Sequence, residues 1–92
     1  MSKNSQAGLS KAQMTDIELA LISFQHGDKT KDDTISKIAN ILSDRRSVSQ
    51  ARVFDLETVI ENVGFVHTEV GLLVNLIKRQ HKKRSRQKHL NI

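Results

Sequence analysis

The chain of 92 residues has no cysteine, so neither a disulfide framework nor a thiolate metal site can reinforce its core. A domain of this length buries only about 60–65% of its unfolded surface. Oligomerisation is the remaining ordinary route to stability, and the lack of cysteine fits an intracellular protein. Trp and Tyr are absent and the three Phe stand at 24, 54 and 65. Enzyme constellations are missing too: there is no phosphate-binding glycine loop, no Gly-x-Ser-x-Gly elbow and no cysteine nucleophile, and the four histidines lack metal-ligand spacing. No catalytic activity, cofactor or metal is expected. The polar start MSKNSQAGLSKAQ lacks a secretory apolar stretch. The most apolar run, Val63 to Ile77, contains His67 and Glu69 and falls short of the roughly 20 residues that cross a bilayer. No membrane partner and a cytoplasmic location are expected.

What is present is charge of one sign at one end. Residues 1–77 hold eight Lys/Arg against ten Asp/Glu, a net of −2, whereas KRQHKKRSRQKHLNI holds seven Lys/Arg and no acid. A charge run of this kind is either a solvated end or a polyanion contact. Seven uncompensated cations in eleven residues favour the second, with a nucleic-acid backbone as the simplest partner. The expected contacts are Lys78, Arg79, Lys82, Lys83, Arg84, Arg86 and Lys88, spread around more than one face if helical. With no aromatic residue among them, stacking on single-stranded bases has no support, and a duplex backbone is the better target.

Proline is absent and glycine occurs four times, so helix ends are read from caps. Ser10-x-x-Gln13 has capping-box form and opens a first helix, with Thr15-x-x-Glu18 an alternative start one turn later. Ile17, Leu21 and Phe24 recur at helical spacing, and Gly27 can take the left-handed conformation that ends a helix. A short second helix follows Thr30, with Asp32 and Asp33 in its first turn and Ile35, Ile38 and Leu42 on one face. Ser43 to Arg46 reads as a turn, and Ser47-x-x-Gln50 opens a third helix.

Leu56, Val59, Val63, Val66, Val70, Leu73 and Ile77 are spaced 3,4,3,4,3,4, an unbroken heptad seam. Val63-Gly64-Phe65-Val66 has strand character, but alternation is not sustained and the heptad is, so one long helix is predicted from Val48 to about Gln80, roughly 50 Å in length. Ile60 and Val74 lie beside the seam, and Gly64, Phe65, Gly71 and Leu72 form a second strip. Two short helices cannot sheathe all of this. The predicted fold is therefore all-α: a flexible segment 1–9, a domain 10–77 of two short helices and one long one, and a basic tail 78–92. The seam would pair as a coiled coil with a second copy in an intertwined or antiparallel homodimer, parallel packing remaining open, through Leu56, Val59, Ile60, Val63, Val66, Val70, Leu73 and Ile77. Alternatively, Gly64 and Gly71 mark a break.

The run from Ile38 to Val53 resembles a helix-turn-helix, in which Ser47 caps the second helix and Gln50 and Arg52, with Arg45 and Arg46 in the turn, reach bases or phosphates. Its turn is one residue short and lacks the customary glycine, so an ordinary helical hairpin is the competing reading. His67, beside the seam, is either a pH switch at the interface or a flanking residue with its polar edge in water.

Helix 1 ending in Gly27-Asp28, the polar link to Ile35, Leu42 near the end of helix 2 and Ala51-x-Val53 opening helix 3 resemble, over residues 15–63, the AriR-like biofilm-development and acid-resistance regulators of enteric bacteria. That resemblance implies a small helical dimer that connects or modulates bacterial regulatory pathways, with DNA binding among its proposed roles. The apolar continuation to Ile77 and the basic tail depart from the family pattern, and no site residue is carried over. The leading expectation is a DNA-binding transcriptional regulator or nucleoid-type modulator. The alternative is a connector or anti-regulator whose long helix captures another regulatory protein.

Overall fold

A computed structural model describes residues 8–44 and 48–90, with the side chains of residues 44 and 84–90 outside that description. Among the described residues four α-helices follow one another: α1 (Lys11–Gln25), α2 (Lys31–Ile41), α3 (Gln50–Asn62) and α4 (His67–Leu90), with a 3-10 turn, Leu42–Asp44, directly after α2. No strand occurs among the described residues. The expectation of an all-α fold holds, but the helix count does not.

The first two helices start where their caps place them. Gln13 N–H donates to Ser10 Oγ and Ser10 N–H donates to Gln13 Oε1, both at 3.0 Å, which serves two amides that a helix start leaves without intrahelical partners. Thr15 lies inside α1 and donates its hydroxyl to Lys11 O. Thr30 accepts from Asp33 N–H at 3.1 Å, and Asp32 and Asp33 stand in the first turn of α2. At α3 the cap is Ser49, whose Oγ accepts from Arg52 N–H at 3.2 Å, rather than Ser47, which lies outside the described residues.

The predicted long helix is instead two. Gly64 has φ +103°, its N–H donates to Glu61 O and the Phe65 N–H to Ile60 O. The end of α1 is built the same way: Gly27 has φ +83°, with Gly27 N–H on Phe24 O and Asp28 N–H on Ser23 O. Both are Schellman closures, in which a glycine beyond the last turn lets the final carbonyls be satisfied from outside the helix. The two ends are also tied together. Gln25 Nε2 donates to Val63 O at 2.6 Å, and the Phe24 and Phe65 rings stack with centroids 6.1 Å apart. Gly71, by contrast, is an ordinary interior residue of α4 with open space where a Cβ would sit.

Turning back at Gly64 sends both halves of the seam into one core. Leu56, Val59 and Ile60 of α3 and Val70, Leu73, Val74 and Ile77 of α4 are buried with Ile17 and Leu21 of α1 and Ile38 and Leu42 at the end of α2. Val63, at the turn, is partly buried, and Val66 is 61% exposed. The seam residues expected at a dimer interface are therefore covered by their own chain, apart from these two. A second copy is not needed to bury them. α1 packs against α2 and α3, and α4 against the same two, so α1 and α4 are diagonal to each other.

The glycines separate the two readings. Gly64→Ala forces an L-residue into a left-handed conformation and is expected to cost about 1–2 kcal/mol, whereas Gly71→Ala, in a helix interior, should stabilise by about 0.5–1 kcal/mol. Urea unfolding checks both. A continuous helix would make both substitutions stabilising.

Candidate nucleic-acid interface

Polar ties put several chain segments at one end of the bundle. Leu9 N–H donates to Asp55 Oδ2 at 2.9 Å, Gln13 Nε2 to Ile41 O at 3.3 Å, and Arg52 Nη1 to Leu42 O at 3.4 Å. That end therefore holds the start of α1, the end of α2 and the start of α3. α4 begins at the other end, beside the Gly64 turn, and arrives here at His81, whose Nε2 donates to the same Leu42 carbonyl at 3.1 Å. The helix then continues for nine residues to Leu90, about 13 Å past its last described buried residue.

On α4 the buried row is Val70, Leu73, Val74, Ile77 and His81. Lys78, Arg79, Lys82 and Lys83 are all exposed. At about 100° per residue, these four fall within an arc of about 140° on the side away from the buried row. They form one face. Four of the seven expected contacts thus share a face, while the side chains of Arg84, Arg86 and Lys88 lie outside the description. Glu69, in the first turn, is the only acid on the helix. The expected boundary between domain and tail at residue 78 coincides with no structural break, because α4 is continuous there and His81 is packed into the bundle.

The proposed helix-turn-helix does not form. Eight residues separate α2 from α3, where that motif has a turn of three or four, and the two helices are diagonal rather than packed partners. Gln50, the first residue of α3, is exposed as a reader would be. Arg52 is only 4% exposed and cannot reach a base. With Ser49 as the cap, position 52 lies one turn before Leu56 and two before Val59 and Ile60, on the face that α3 buries. Arg45 and Arg46 lie outside the described residues. His67 is exposed, with its Nδ1 3.8 Å from Glu61 Oε2 across the turn, and lies outside the chain's own core.

Comparison with protein-family models, with curated proteins and with solved structures returns no match for this chain. Function must be argued from the residues. No group of His, Asp or Glu among the described residues is arranged to hold a metal ion, and no described helix is long and apolar enough to cross a membrane. A shallow groove between α1 and α2 is lined by Asp16, Ser36, Lys37, Asn40 and Ile41.

Arg52, expected to reach bases or phosphates, and His81, assigned with the basic tail 78–92, meet at one carbonyl. The signal for both was register: His81 follows Ile77 by four and Val74 by seven, so it continues the buried row of α4 as Arg52 begins that of α3. Arg52→Ala is expected to lower stability by about 1–3 kcal/mol, through a lost hydrogen bond and lost stem packing, and Gln50→Ala to leave it within about 0.5 kcal/mol. Denaturant midpoints of the two variants check this. Equal midpoints would return Arg52 to the surface.

Proposed function

We propose that the chain is a small duplex-DNA-binding regulator or nucleoid-type modulator that grips phosphates with the outer face of α4. One observation carries the reading: Lys78, Arg79, Lys82 and Lys83 share an exposed helical face, opposite the buried row and with no acid beside them on the helix after Glu69. A rigid row of cations neutralises successive phosphates and releases their condensed counterions, which supplies affinity without reading sequence. The burial of Arg52 supports the unspecific version of the reading, since Gln50 is then the one described side chain of the two expected readers that faces water. Such a protein acts on many sites as a modulator rather than on one operator. The resemblance to AriR-like regulators points to the same class of role.

The connector alternative needs a long helix with a free apolar stripe. In the fold described, that stripe is the chain's own core, so the alternative loses the surface it was built on. Of the seam, only Val66 and part of Val63 remain for pairing with a second copy, and among the described residues Leu19, Phe54 and Leu72 are the other exposed large apolar side chains.

The test is the salt dependence of binding to arbitrary duplexes. Each phosphate contact contributes about −0.9 to the log–log salt slope. Replacing Lys78, Arg79, Lys82 and Lys83 together by Gln should therefore flatten the slope by about 2–4 and weaken binding to all duplexes alike. These positions are exposed, so the fold is expected to survive. An unchanged affinity and slope in the fourfold variant removes the reading.

A further inference from the structure

Leu42 lies at the C-cap of α2, where the last carbonyls of a helix have no intrahelical partner. Its oxygen accepts from Arg52 Nη1 of α3 and from His81 Nε2 of α4, and both side chains are 4% exposed. Two large polar groups are thus buried at a single point, and Leu56 and Ile77, one helical turn from Arg52 and His81 respectively, are themselves fully buried. Apolar packing alone would close this gap more simply, because a leucine at position 81 would extend the row Val70, Leu73, Val74 and Ile77 and involve no desolvated polar atom. What a hydrogen bond adds is precision. A leucine tolerates a small slide or rotation of α4 over its neighbours, whereas a bond to one carbonyl survives only within a few tenths of an ångström and a limited angle.

The location gives that precision a use. His81 stands one turn beyond Ile77, between Arg79 and Lys82, and is the last buried residue described on α4. Any error in the direction of the helix at His81 is carried outward to the cations that follow. We infer that His81 is a positioning residue for the polyanion-binding face: its bond to the Leu42 carbonyl, with Arg52 completing the node, fixes the rotation and direction in which α4 presents Lys82, Lys83 and the helix beyond them. This inference rests on the reading of α4 as the duplex-binding element. It predicts that binding and stability respond differently to the same substitution. In His81→Leu the Leu42 carbonyl keeps its bond from Arg52 and the leucine continues the apolar row of α4, while the helix loses its register pin.

The experiment compares wild type, His81→Leu and His81→Gln, the last retaining a side-chain Nε2 donor. Three quantities are measured on the full chain: the urea midpoint, the affinity for a random duplex of about 20 base pairs at fixed salt, and the width of the distance distribution between spin labels on cysteines placed at Lys37 of α2 and Lys83 of α4. His81→Leu should keep a wild-type or higher midpoint, broaden the distance distribution and bind duplex about three- to tenfold more weakly, because the cations are no longer pre-oriented. His81→Gln should restore both width and affinity. A distribution as narrow in His81→Leu as in wild type overturns the inference, as does a broadened distribution with unchanged duplex affinity. If wild type itself shows no salt-dependent duplex binding, the proposed function falls separately, and the label distances still decide whether His81 fixes the direction of the helix.

Discussion

The reversal at Gly64 sets where every other group in the molecule can be. A glycine at φ +103° closes α3 with the same pair of bonds that Gly27 uses to close α1, and the two closures are held together by the Gln25 bond to the Val63 carbonyl and the Phe24–Phe65 stack. Once the chain turns there, the apolar rows of α3 and α4 enter one core with those of α1 and α2. A single chain of modest length then covers its own hydrophobic surface. The same turn directs α4 back along the bundle, so that its acidic first turn lies by Gly64 and its basic stretch leaves at the opposite end.

That opposite end is organised around one carbonyl rather than around more apolar packing. Leu42 O gathers Arg52 and His81, while Leu9 and Gln13 tie the start of α1 to α3 and to the end of α2 nearby. Buried polar groups are costly unless satisfied, and once satisfied they specify geometry more narrowly than interchangeable methyl groups do. Cations on an exposed helical face have the opposite character: they add nothing to the core and are disposed for solvent or a polyanion. The chain thus places a buried hydrogen-bonded node within its most highly charged segment, which is the link between fold and proposed function.

Much of this was legible in the sequence. Ser10-x-x-Gln13, Thr30 with Asp32 and Asp33, and Gly27 each predicted a helix end through a local interaction that tertiary packing had no reason to override. The heptad misled because its phase runs through the turn without a slip: Val63 and Val66 keep the 3,4 spacing although the helix between them is broken. A periodic pattern records which residues are apolar and not whether the backbone joining them is helical. The contrary signal was Ile60 followed by Gly64 and Phe65, the spacing that places an apolar residue after a C-terminal glycine against the last helical turn, as in the Schellman motif. Arg52, expected at the surface, and His81, counted with the tail 78–92, were misplaced for a related reason. Charge suggested the surface, but each lies in register with an apolar row, and register proved the stronger determinant of burial.

The central claim is that α3 and α4 fold back on each other within one chain. Methyl–methyl nuclear Overhauser contacts between Leu56, Val59 or Ile60 and Val70, Leu73 or Ile77 test it most directly, recorded on a sample that mixes isotope-labelled and unlabelled chains. The reversal at Gly64 predicts that these contacts arise within labelled chains and that the isotope-filtered experiment, which sees only contacts between copies, is empty for them. Contacts found only in the filtered experiment would show that the seam pairs between two molecules through one continuous helix, and would contradict the account.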